Sequence, residues 1–223
     1  MAYRQTQGFG FGYALTPVVK RLLIANVVAF FVTLIVGRSL IYDWFGFQPD
    51  RIFVRPWGAF TYMFVHGGFI HLFVNMLALF FFGPPLEGRW GGKEFLRFYV
   101  VAGLGGVVLS FIFAPHAAVI GASGAVIGVM LAFAMNWPDA PIYVWGIFPV
   151  KAKWLVAFFF VMTLFSAFDG PGGPVAHFAH LGGLVAAFFY LKMDWRGSDK
   201  LERIRKTTRK ARQYQPNQRQ HLR

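Results

Sequence analysis

With 57% apolar side chains, 28 Phe and only 14% charged residues in 223, the chain is too apolar for a soluble domain, and its mean hydropathy of +0.51 reads as a polytopic membrane protein. The formal net charge of +13 is weighted toward the C-terminal tail and points to acidic surfaces as partners. The absence of Cys excludes a disulfide framework, a thiol nucleophile and any Cys-based zinc or iron–sulfur site. Chemistry, if present, falls to Ser, His, Asn and backbone groups.

In chain order, Arg4, Lys20 and Arg21 precede a first apolar run. No small-residue cleavage site follows it, so it is expected to stay as a span after a short N-terminal segment, residues 1–17. Apolar segments at 22–37, 69–83, 95–114, 119–136, 154–168 and 175–191, separated by Gly, Pro and charge, predict six helices. The expected fold class is an all-α polytopic membrane protein, a six-transmembrane-helix bundle over residues 18–193. Several segments hold only 15 to 18 apolar residues, short of the roughly 20 that cross hydrocarbon. That predicts local thinning, or helices buried around a water-filled cavity.

Lys and Arg assign the orientation. Nineteen fall on the side that holds both termini and three, Arg38, Arg51 and Arg55, on the other, so both termini are expected in the cytoplasm. The first outer connection, 38–68, carries Trp44, Phe45, Phe47, Phe53, Trp57 and Phe60. Two readings stand for it: a partly helical segment in the outer interface, or a loop packed on the bundle. The Gly- and Pro-rich connection after the fifth helix, 169–174, fits either a mobile cap or a passive turn. From Asp194 the tail, 194–223, is basic and apolar-poor, which predicts a solvated segment drawn to anionic lipid headgroups. No nucleic-acid-binding module accompanies it, so no nucleic acid is expected as a partner.

Polar groups at membrane depth gather in one layer. Gly121-Ala122-Ser123-Gly124 opens the fourth helix, where backbone N–H groups lack intrahelical partners and Ser123 is exposed as a candidate nucleophile. The competing reading makes Ser123 an N-cap beside packing glycines. On the second helix His71 and Asn75 share a face four residues apart; on the sixth, His177 and His180 lie in the outer turns. Small-residue stripes, Gly124/Gly128/Ala132 and Ala179/Gly183/Ala187, are expected to face each other and bring Ser123 to His180. A neutral His180 is then a candidate base, with His71, Asn75 and the Ser123 amide receiving an oxyanion. No third member is evident, so a dyad is expected rather than a triad. His66, His116 and His177 also read as structural residues satisfied by neighbouring carbonyls. No His-Glu-x-x-His motif is present, and no metal or cofactor is expected.

These residues resemble the rhomboid family of intramembrane serine proteases. Gly121-Ala-Ser123-Gly124 is similar to its G-x-S-G motif, His71-Leu-Phe-Val-Asn75 to its H-x-x-x-N motif, and Ala179-His180 with Gly183 to its sixth-helix histidine motif. Glu87-Gly88-Arg89 and the stretch 148–154 also match. The resemblance implies a six-helix core in which Ser123 attacks and His180 is the base. It places Gly121, His71 and Asn75 in the oxyanion region and implies substrates that are transmembrane proteins. A bacterial inner membrane is the expected location. Two positions depart from the pattern: Ile127 stands where an aromatic residue is common, and Trp57-Gly58 where Trp-Arg is common. Three functions stay open: the protease, a catalytically silent relative that binds transmembrane clients, and a transporter or haem-binding protein using intramembrane His. The sequence does not assign a substrate-binding residue.

Overall fold

The computed structural model describes residues 15–144, 147–169 and 177–193. The first span is α1 (Pro17–Val36), with Pro in its first turn, where the missing N–H costs no helix hydrogen bond. Its opening is held from a distance: Glu87 carboxyl oxygens accept from the N–H groups of Val18 and Val19, each at 2.9 Å. The outer connection is both helical and packed on the bundle, so its two sequence readings are compatible. It contains α2 (Arg38–Phe45), a short turn at Pro49–Arg51, α3 (Gly58–Thr61) and a second turn at Tyr62–Phe64. Phe53 and Val54 are exposed there, apolar surface suited to an interface.

Next come α4 (Phe69–Trp90) and α5 (Gly92–Phe113), then the short α6 (Ser123–Asn136). α4 runs seven residues past the expected stop at Gly83, straight through Pro84 and Pro85. Packing overrides the local cost of two lost hydrogen bonds here: Pro84, Leu86 and Glu87 are all buried against the bundle. A two-stranded antiparallel hairpin, β1 (Pro141–Val144) with β2 (Phe148–Lys151), joins α6 to α7 (Ala152–Asp169). The sequence reading did not anticipate it, and it leaves the all-α class intact. A final helix, α8, covers 177–193. The Gly- and Pro-rich stretch before α8, and the N-terminal and tail segments apart from residues 15–17, lie outside the described residues.

α1, α4 and α5 are long and apolar enough to cross a membrane, and Ile24, Ile35, Ile70, Val108 and Ile112 face outward from them. α6 is different. Its 14 residues extend roughly 21 Å at 1.5 Å per residue, against about 30 Å of hydrocarbon, and most of it is buried by other helices. Its far end is polar, with Trp137 under the Arg89 guanidinium and Asp139 paired to Lys151 and Lys153. A short helix anchored by that end carries Ser123 at the other.

Backbones approach most closely where α6 meets α8 and α5. A Cβ on Gly183 would run into the Gly124 carbonyl oxygen, and one on Gly128 would lie 3.1 Å from the Ala187 Cβ. The two small-residue stripes therefore face each other. α5 joins the same seam, because a Cβ on Gly106 would come within 2.8 Å of the Ala179 carbonyl oxygen.

Replacing Glu87 tests how much its reach across the bundle contributes. Hydrogen bonds to a charged acceptor are each worth about 1.5–3 kcal/mol, so Glu87→Ala should lower the unfolding midpoint in detergent by several degrees, with Glu87→Gln intermediate. An unchanged midpoint in Glu87→Ala would show that water satisfies the start of α1 equally well.

Candidate active site

Ser123 is the first residue of α6, and Ala122, not Ser123, occupies the N-cap position. The Ser123 side chain makes no cap hydrogen bond; its Oγ lies 2.6 Å from His180 Nε2 on α8. That distance is typical of a strong hydrogen bond between a hydroxyl and an imidazole. With the ring proton on Nδ1, Nε2 accepts from the hydroxyl, which is the arrangement a general base requires; with the proton on Nε2 the direction reverses. Both residues are half-buried. His177, nearly one turn earlier, meets His180 edge to face at 6.2 Å. Among the described residues the hydrogen bond of the His180 ring is the one to Ser123.

His71 closes the other side. The Gly67 N–H donates to His71 Nδ1 at 3.3 Å, which leaves the proton on Nε2. That nitrogen points at Gly121: a Cβ there would lie 2.7 Å from it and 3.7 Å from Ser123 Oγ. Gly121 also has φ +114°, a conformation L side chains rarely adopt, so geometry and space both require glycine. The structure thus brings Ser123, His180, Gly121 and His71 together. Asn75 is buried, and its Nδ2 donates to the His71 carbonyl at 2.7 Å, one turn back on its own helix. It joins the cluster through the backbone of His71 rather than through Ser123.

Several residues that hold the site were not legible as site residues. The Gly121 N–H donates to the Tyr62 carbonyl at 2.9 Å, and the Tyr62 hydroxyl donates to the Gly103 carbonyl at 2.7 Å. Phe47 and Val119 exchange two backbone hydrogen bonds, at 2.9 and 2.8 Å, tying the outer connection to the strand-like lead into Ser123. His66 is fully buried, its ring against His71 at 5.1 Å, and its Nε2 has no protein partner. The sequence reads His66 as a structural residue beside a carbonyl, and its Nδ1 lies 3.3 Å from the Phe64 carbonyl oxygen.

The outer connection is anchored without the Trp-Arg pair. Trp57 stacks on Trp44 at 6.4 Å and donates from Nε1 to the Trp44 carbonyl at 2.8 Å. Arg55, two residues earlier, lies 4.5 Å over the Trp44 ring and pairs with Asp43 at 2.8 Å. Arg55, with Arg51 adding to it, holds the Asp43 carboxyl below its ordinary range.

A family model described as "Rhomboid domain" matches residues 54–197. RHOMBOID-like protein 2 of Arabidopsis thaliana is 34% identical over 134 residues, 60% of this chain and 41% of that protein. RHOMBOID-like protein 6, mitochondrial, of the same organism is 35% identical over 134 residues, 60% of this chain and 42% of that protein. Rhomboid protease GluP of Bacillus subtilis (strain 168) is 35% identical over 88 residues, 39% of this chain and 17% of that protein. The matches span about two fifths or less of these relatives' own lengths. With a helical bundle whose glycine seam joins the Ser123 and His180 helices, and a domain match over most of its length, the chain belongs to the rhomboid family.

Proposed function

We propose that this protein is an intramembrane serine endopeptidase that cleaves transmembrane proteins in or near their membrane-spanning segments. The observation that carries the reading is the 2.6 Å contact between Ser123 Oγ and His180 Nε2. Ser123 Oγ attacks the scissile carbonyl carbon while His180 Nε2 takes its proton. The resulting oxyanion is received by the Ser123 N–H, free at the start of α6, and by His71 Nε2–H beside Gly121. His180 then protonates the departing amine, leaving an acyl ester on Ser123 that water hydrolyses with His180 again as base. Asn75 supports this by holding the His71 backbone. Family membership favours protease chemistry, and one relative carries the name of a protease.

On the same reading, residues 18–193 form the membrane domain and both termini face the cytoplasm of a bacterial inner membrane. The basic end of the bundle, with Arg89, Lys151 and Lys153, is the one opposite Ser123, in keeping with that orientation. The tail, 194–223, is assigned to anionic headgroups on its charge. A catalytically silent client-binding relative is the alternative that the following experiments separate.

A fluorophosphonate probe should label the purified protein and fail to label Ser123→Ala, whose unfolding midpoint should stay nearly unchanged. Persistent labelling of Ser123→Ala would overturn the nucleophile, and a protein that never labels or cleaves would favour the silent relative.

His180→Ala should abolish turnover, whereas His177→Ala, which touches only the rim of the imidazole, should retain most of it. Activity should fall at acid pH as the base becomes protonated. Equal loss in the two variants would remove the distinction on which the assignment rests.

Loss of one oxyanion donor typically costs roughly 100- to 1000-fold in rate. His71→Ala is therefore expected to lower kcat by that order with little change in KM. Asn75→Ala, acting through the His71 backbone, should show a smaller rate loss and a larger drop in midpoint. The reverse ranking, read from kinetics and unfolding side by side, would make Asn75 the direct donor.

A further inference from the structure

At the end of the bundle away from Ser123, α7 stands off from α6 and α8 and leaves a slot of about 470 Å³. Leu131 and Met135 line it from α6, Val156 and Phe160 from α7, and Leu184 and Phe188 from α8; Lys153 is the one charged residue in its wall. Phe160 and Phe188 are each about 40% exposed, so the slot opens sideways into hydrocarbon rather than toward water. We infer that this slot binds one acyl chain of an anionic phospholipid, whose phosphate rests at Lys153 and Lys192.

Size limits the occupant. A helix is 10–12 Å across, so one turn of it fills roughly 420–610 Å³, comparable with the whole slot. A single flexible chain follows the narrow apolar wall along its length, and a second copy seated there is the competing outcome that the test separates. The wall offers an acyl chain full apolar contact and offers a polar solute nothing to bond except Lys153.

Charge supplies the headgroup preference. The Lys192 ammonium lies 5.6 Å above the Phe188 ring, at the rim of the slot. Lys153 and Lys151 share a single carboxyl group, Asp139, at 2.9 and 3.3 Å. Three cations thus face one anion among the described residues. Glu94 on the neighbouring α5 is already engaged by Arg97 and the Tyr190 hydroxyl. Depth fits as well: exposed Trp154 adjoins Lys153, exposed Tyr143 and Phe148 lie in the hairpin that leads into α7, and Trp and Tyr favour the headgroup level. A phosphate there meets the surplus charge while its chain completes the packing of α7.

The test uses the full chain in phosphatidylcholine vesicles containing a trace of phosphatidylglycerol or phosphatidylcholine with a diazirine in mid-chain. Near an anionic surface each lysine contributes about 1 kcal/mol, a factor of about five. Photolysis should therefore place adducts on the slot faces of α6, α7 and α8 with at least a fivefold excess for the phosphatidylglycerol probe. Lys153→Gln with Lys192→Gln should bring that ratio to about one. Ala157→Phe, at an exposed position on the slot wall, should reduce adducts from both lipids while helicity by circular dichroism stays unchanged. Equal labelling by the two probes, adducts spread evenly around the bundle, a preference surviving the double lysine change, or cross-links between two copies would each overturn the inference.

Discussion

The approach of α6 to α8 at Gly124 and Gly183 is the constraint on which the rest of the structure depends. Hydrocarbon gives apolar side chains no reason to leave it for one another, so helices in a membrane associate through close packing and internal hydrogen bonds. Here the contact is backbone on backbone: Gly183 has no room for a Cβ because of the Gly124 carbonyl, and a Cβ on Gly124 would lie 3.0 Å from the Ala179 carbonyl oxygen. Gly124 adjoins Ser123 and Ala179 adjoins His180. The distance between the two reactive side chains is thus fixed one residue away from each, by atoms that cannot change rotamer. Since a displacement of about 1 Å can cost on the order of 100-fold in rate, a rigid seam matters more to such a site than a strong one.

A second set of contacts fixes the direction in which Ser123 is presented. The lead into α6 is extended, and it is clamped by the backbone exchange of Phe47 with Val119 and by the bond from Gly121 N–H to the Tyr62 carbonyl. Phe47 and Tyr62 both belong to the outer connection, and both are almost completely buried. That connection is in turn held by Trp44, Arg55 and Trp57. The chain around Ser123 is therefore braced by an element that packs over the bundle rather than by α6 alone.

The sequence carried the site more fully than it carried the architecture. Ser123, His71, Asn75 and His180 were legible because a polar group at membrane depth is costly and stands out against Phe, Leu and Val. The α6–α8 seam was legible because small residues at four-residue spacing have one plain use there. Gly105 and Gly106 in α5 complete the same seam and were not read, since an adjacent pair has no such period. α4 ran through Pro84 and Pro85 because tertiary burial outweighed the local signal. The hairpin at 141–151 lies among interfacial aromatics and prolines whose pattern fits several conformations. The stacking of Arg55 over Trp44 was beyond motif reading, because the two residues lie eleven apart and meet only through the fold of the outer connection.

The polar side chains that hydrogen-bond inside the bundle fall into two groups by the reach of their bonds. Asn26, Thr33, Asn75 and Asn136 each bond a carbonyl four residues back on their own helix. Such bonds give the side-chain donor a partner without linking helices. Glu87, Tyr62 and Tyr190 reach across the bundle, to α1 and to α5, and add tertiary order. Ser123 and His180 also bond between helices, yet the helices they join are already in contact through glycine backbones a residue away. Their hydrogen bond is redundant for assembly. On the proposed mechanism it can be broken and remade as a proton moves between Oγ and Nε2 while the glycine contacts of the seam stay in place.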